Sequence, residues 1–216
     1  MTIGPHLLHV PSERPESSSR RERKRAETRQ RIFRAAMELF AKHGFLATTV
    51  EEITEAADVG KGTFFNYFPS KEHVLGVLHE VQLAKVAEAR KAAEKGDQPI
   101  REVLHKFMYR IAEEPGRSQQ LARGLVVTMI SSEYIRDIFI ETLTRGAQML
   151  SEVLKRGQER GEIRTDLTPE EMVRIFQQNI LGALVHWSIT STSTLQERLD
   201  PTFEIFWSGI SRQAAR

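Results

Sequence analysis

The sequence predicts an all-α protein of about nine helices, on three observations. Apolar residues recur at spacings of three and four along most of the 216 positions, the period of one buried helix face. No stretch alternates apolar and polar residues as a half-buried strand does. Helix punctuation recurs between the periodic runs: hydroxyl or acidic starts, glycine or proline stops.

Taken in order, residues 1–20 are rich in Pro, Ser and Glu without an apolar period, and read as a disordered tail. From Arg23 a helical period sets in, with Ile32, Ala35, Ala36, Leu39 and Phe40 on one face and Gly44 at the left-handed stop. Thr49 and Glu52 form a capping-box pattern that opens VEEITEAA, a short helix burying Val50, Ile53 and Ala57. Asp58-Val59-Gly60 is a turn, a second short helix runs from Lys61 to about Phe68, and Pro69 breaks it. Ser70 caps a long helix that stops at Gly96. The next stripe is Ile100, Val103, Leu104, Phe107, Met108 and Ile111, closed by EEPGR. Leu121 to Ile130 is apolar almost all round and belongs inside the protein. Ile135, Phe139, Leu143, Leu150, Val153 and Leu154 stripe a long helix ending at Gly157 or Gly161. Thr168-Pro169 starts another, and Leu195, Leu199, Phe203, Phe206, Trp207 and Ile210 stripe the last.

Composition narrows the function classes. There is no cysteine, so thiol nucleophiles, disulfides and cysteine metal clusters are excluded. The N-terminus lacks the basic start and apolar run of a secretion signal, and no apolar run approaches membrane-spanning length. The expected location is the cytoplasm. The net charge is +2, but it is unevenly spread. Residues 1–71 carry twelve Lys and Arg against nine acids, and Arg20, Arg21, Arg23, Lys24, Arg25, Arg29, Arg31 and Arg34 crowd one segment. Such a run is a solvated helix face or a polyanion contact.

The stretch VGKGTFFNYFPSK decides between them. At about 100° per residue, Phe64 and Phe68 share an inward face. Gly62, Thr63, Asn66 and Tyr67 take the opposite arc, flanked by Lys61 and Phe65. That outward arc is poor core but suits close approach to nucleic acid, with hydrogen bonds to phosphates and base edges. Two short helices joined by a three-residue turn, the second exposed, are a helix-turn-helix whose second helix enters the major groove of double-stranded DNA. Thr48 and Thr49, at a helix N-terminus that favours phosphate, and Lys71 are the expected phosphate grips.

Over about Arg29 to Leu78, and most specifically in GKGTFFNYFPSKEHV, the sequence resembles the DNA-binding segment of TetR-family transcriptional regulators. It departs from that pattern at three points. Asp58 stands where the family has glycine, Gly60 where it has a Ser or Thr cap, and Phe65 where it often has tyrosine. The resemblance implies a bacterial, nucleoid-associated homodimer. Its expected organisation is a DNA-binding unit over residues 21–69 and a helical ligand-binding and dimerisation unit over 70–216. It also implies a repressor released from a palindromic operator by a small apolar effector, with no cofactor. The expected pocket residues are Phe107, Ile111, Leu125, Met129, Phe139, Leu143, Met149, Phe176 and Ile180. Tyr109, His105, Asn179 and His186 are candidates for its polar contacts. The helix from Thr168 carries almost no polar arc, so it is expected to be buried on two sides. With the last helix it gives a dimer seam of Gly182, Ala183, Phe203, Phe206 and Trp207.

Two rival readings differ in kind. An enzyme finds no support: GKGT lacks the glycine and hydroxyl spacing of a phosphate loop, and His79-Glu80 has no second histidine at zinc spacing. The other rival keeps the DNA-binding unit but makes the helical core a docking surface for another protein. A roomy apolar pocket discriminates in favour of a small-molecule sensor.

Overall fold

The computed structural model describes residues 16–190 and 193–212. Their order is α1 (Glu16–His43), α2 (Val50–Ala56), α3 (Lys61–Tyr67), α4 (Lys71–Lys95), α5 (Ile100–Ala112), a 3-10 turn (Pro115–Arg117), α6 (Gln119–Ser131), α7 (Glu133–Glu159), α8 (Pro169–Thr190) and α9 (Leu195–Ile210). Among the described residues the protein is all-α, as the periodicity predicts. An isolated antiparallel bridge, Ile163 to Ser211, ties the α7–α8 connection to the end of α9.

The expected disordered tail lies outside the described residues as far as position 15. From Glu16 to Arg20 the chain is helical instead, so α1 begins ahead of the apolar period at Arg23. Extending a formed helix costs far less than nucleating one, and the arginines from position 20 on are good helix formers.

Local chemistry sets the other boundaries. Gly44 ends α1 at φ +87°, with its amide on Phe40 O at 3.0 Å. Thr49 and Glu52 close a reciprocal capping box on α2. At the other end of α2, Val59 N–H reaches Thr54 O at 3.0 Å and Asp58 N–H reaches Glu55 O at 3.1 Å. This is the paired closure of a Schellman motif. It places Asp58 at φ +50°, a left-handed conformation that aspartate tolerates better than most residues. Gly60 starts α3 with no side-chain cap. Ser70 occupies the cap position of α4, but its hydroxyl binds the Glu72 carboxylate and His73 Nδ1 rather than a helix amide. Thr168 and Glu171 form a further capping box at α8.

Two apolar clusters result. The first joins Ile32, Ala36, Phe40, Ile53, Phe64 and Phe68 with Val74, Leu75 and Val77 of α4, Leu121 of α6 and Ile135 of α7. The second gathers Val86, Ala89 and Ala93 of α4 and Ala122 of α6 with residues of α5, α7, α8 and α9. α4 therefore contributes to both. α6 corrects the expectation of all-round burial: Leu121, Ala122, Gly124 and Thr128 face in, while Val127 and Ile130 are exposed. Gly124 is where α6 meets the end of α1, and a Cβ there would lie 2.8 Å from Phe45 Cβ.

Candidate nucleic-acid interface and apolar cavity

α3 sorts its side chains as the helical arc predicts. Phe64 and Phe68 are buried, Lys61, Gly62, Phe65 and Asn66 are exposed, and Thr63 and Tyr67 are half-buried at the margin. Lys61 pairs with Glu51 of α2, and its hydrogen bond holds the Glu51 carboxyl below its ordinary range. Both groups are exposed, so a phosphate can compete for the lysine. The basic lead-in also reaches this surface, with the Arg25 guanidinium 6.0 Å from the centre of the Tyr67 ring.

Three of the expected phosphate grips are differently employed. Thr48 is buried and its hydroxyl donates to Gly44 O at 2.8 Å. The Thr49 hydroxyl is committed to the capping box. Lys71 Nζ donates to Phe45 O at 2.9 Å, Leu46 O at 3.3 Å and Thr48 O at 2.9 Å. It also lies 4.8 Å from the centre of the Phe45 ring. Lys71 is thus a clamp on the α1–α2 connection, whose carbonyls have no helix partners of their own. Sequence spacing does not show that clamp, because its partners are backbone atoms some 25 residues away rather than side chains with a pattern.

Within the larger bundle lies a cavity of about 230 Å³ lined from α4 through α9. Eight of the nine expected pocket residues line it: Phe107, Ile111, Leu125, Met129, Phe139, Leu143, Phe176 and Ile180. Met149 does not; it packs half-buried against the second apolar cluster. The polar groups on the wall are His79, Gln82, Thr142 and Gln177, in place of the four proposed from sequence. His105 instead lies against Phe203 and Tyr109, and His186 meets Thr190 and Arg198. His79 and Gln82 were findable, since they fall one helical turn apart on the face that carries Leu75 and Leu78.

The cavity and the first apolar cluster share residues. Leu75 of α4 and Ile135 of α7 belong to both. Beside the cavity residue His79, Glu80 accepts two hydrogen bonds from Arg29 of α1, each 2.7 Å. The hydrogen bond raises the Arg29 pKa and holds the Glu80 carboxyl below its ordinary range. Burial pushes the nearby Tyr134 phenol up, and its ring stacks on His73 at 4.1 Å.

On α8 and α9 the structure divides the expected dimer seam. Phe203 and Phe206 are buried in the chain's own core, so they cannot form an outer face. Trp207 and Ala183 are half-buried and Gly182 is exposed. The outward apolar residues are Ile175, Ile189 and Ile205, the last 73% exposed, with open space over Gly182 and Gly209. The sequence period finds the buried stripe of α9, and the outer residues are the ones it leaves out. Among the described residues no cluster of His, Asp or Glu could hold a metal ion. No helix among them is long and apolar enough to cross a membrane.

Residues 32–78 match the family profile described as bacterial regulatory proteins, tetR family. Residues 79–209 match the C-terminal domain of TetR/AcrR family transcriptional repressors. The HTH-type transcriptional regulator TcmR of Streptomyces glaucescens is 30% identical over 199 residues, covering 88% of this chain and 85% of its own. The HTH-type transcriptional repressor DhaR of a Mycobacterium species is 26% identical over 183 residues, covering 83% and 92%. Among solved structures, Thermus thermophilus FadR, a transcriptional repressor in complex with lauroyl-CoA, superposes with a TM-score of 0.58 at 29% identity. That match covers 87% of this chain and 97% of FadR.

Proposed function

The chain belongs to the TetR family of bacterial regulatory proteins, and from that premise we propose that it is a ligand-released repressor acting as a homodimer. In this reading residues 21–69 hold the operator, with Lys61, Gly62, Thr63, Phe65, Asn66 and Tyr67 toward the major groove. Residues 70–216 sense and dimerise. The two-fold dimer requires a palindromic site with one α3 per half-site. Its seam is the outer face of α8 and α9, with Ile175, Gly182, Ile189, Ile205 and Gly209 at the contact.

The observation that carries the regulatory part is that one helix serves both units. α4 gives Val74, Leu75 and Val77 to the DNA-binding core and Leu75, His79, Gln82 and Val86 to the cavity wall. A molecule that fits only one tilt of α4 moves α3 in each subunit, and operator affinity falls by the ligand's differential affinity for the two states. About 2.7 kcal/mol of such coupling is a hundredfold change. The cavity favours this over a protein-docking core, and the acyl-chain ligand of FadR is in keeping with an apolar effector.

Sequencing the genomic fragments that the protein selects tests the reading. The expected product is an inverted repeat whose preferred bases change with Asn66→Ala. A half-site without its repeat, or a micromolar monomer in native mass measurements, contradicts it. Ile205→Glu should yield that monomer and lose operator binding.

A further inference from the structure

We propose that the cavity is selective for an uncharged effector carrying a hydrogen-bond donor, an alcohol or phenol on an apolar body, with Gln82 Oε1 as the acceptor. The inference rests on the cavity's being the effector site. Its basis is an unmet acceptor on a wall that carries no lysine, arginine or acid. Gln82 Nε2 donates to Ile111 O at 2.9 Å, and Gln177 Nε2 donates to Leu143 O at 2.9 Å. Thr142 Oγ1 donates to Ile138 O at 2.7 Å and is in contact with His79 Nδ1. His79 Nε2 lies 4.0 Å from the Glu141 carboxylate. Gln82 Oε1 is a buried acceptor with no protein partner. The unmet buried atom that this wall offers a ligand is therefore an acceptor.

Charge selection follows from the same wall. No lysine, arginine or acid lines the cavity. The buried Lys85 is tied to Arg110 O at 2.5 Å and to Glu113 at 3.6 Å. A carboxylate or phosphate here would lose its hydration, find no cation and face lone pairs. An ammonium would find no carboxylate on the wall to neutralise it. A hydroxyl supplies the donor that Gln82 lacks, and a buried acceptor left unmet is costly. A volume of about 230 Å³ suits a body on the order of ten non-hydrogen atoms, by scaling from benzene in a cavity of about 150 Å³.

The test uses the full-length dimer and three probes of equal length: decan-1-ol, 1-methoxynonane and decanoate. Each is titrated by displacement of Nile red and by calorimetry. Decan-1-ol should bind about tenfold tighter than the ether, the value of one net hydrogen bond, and decanoate weaker than both. Gln82→Leu should bring the alcohol to the level of the ether and leave the ether within about twofold. Gln82→Met, which keeps the unbranched shape, gives the same reading if the leucine variant does not fold. Decanoate binding as tightly as decan-1-ol, or an alcohol preference that survives loss of Gln82, overturns the proposal while leaving the cavity as the effector site. If no probe binds a protein that still holds its operator, the effector site itself falls, and the proposal with it.

Discussion

In the unit built by α1, α2 and α3, Ile32, Phe40, Ile53 and Phe64 are wholly buried and touch one another or α4. In the bundle behind it, Phe107, Leu143 and Phe176 reach the edge of a cavity of about 230 Å³. On the function proposed above, the difference separates two duties. A surface that must hold several side chains against base edges needs a core with one packing solution. A sensing site needs unfilled apolar space that a ligand can complete, and α4 joins the two.

The comparison breaks most visibly in the filled unit. Phe64→Ala should cost about 3–5 kcal/mol and abolish operator binding, read by chemical denaturation and fluorescence anisotropy. A loss under about 1 kcal/mol, below the range for such truncations, would mean the α3 core is looser than its burial implies. Lys71→Met should cost about 1–3 kcal/mol by freeing three carbonyls of a charged donor. The slope of operator affinity against salt should stay unchanged, because Lys71 neutralises backbone oxygens rather than phosphate. A shallower slope would return Lys71 to the phosphate-gripping role.

The underfilled bundle should answer in the opposite direction. Gly146 lies on the cavity wall, where a Cβ meets only ordinary contacts at 3.8 and 4.0 Å. Gly146→Leu should stabilise the protein by about 1 kcal/mol, the helix-propensity difference alone, and block probe binding while operator binding persists. Destabilisation would mean the cavity is too shallow to accept a side chain.

The smallest effect is at the junction. Arg29 holds the Glu80 carboxyl below its ordinary range, so the pair's stabilisation is present above the unfolded carboxylate pKa. It is lost as pH falls through the lower folded value. Both side chains are more than a third exposed, which limits the contribution to under about 1 kcal/mol. Glu80→Gln should flatten that acid limb slightly in pH-dependent denaturation. It should also reduce the effect of a bound probe on operator affinity more than it reduces either affinity alone. Unchanged coupling would remove the pair from the path between the two units.

Legibility in the sequence followed the same division. The α2 capping box, the turn at Asp58, the inward Phe64 and Phe68 and the stop at Gly96 all read from residues within a few positions of one another. Eight residues of the cavity wall are legible because an apolar stripe marks the inside of a helix. The stripe cannot say whether that inside is filled, so Met149 was drawn in with the rest. What stayed hidden depends on distant backbone or on exposure. The sequence pattern offers Lys71 to phosphate, because its three carbonyl partners lie across the fold. Phe203 and Phe206 read as seam residues because periodicity cannot distinguish burial against the chain's own core from burial against a second copy. His79 and Gln82 matter only through what faces them across the cavity.

The most direct measurement is the affinity of decan-1-ol for the protein with and without saturating operator, beside that of operator with and without saturating decan-1-ol. If α4 links cavity and α3, each ligand weakens the other by the same factor, expected between about tenfold and a hundredfold for 1.4–2.7 kcal/mol of coupling. Affinities for decan-1-ol that are identical with and without operator, in a protein that binds both, would contradict the link between the two units.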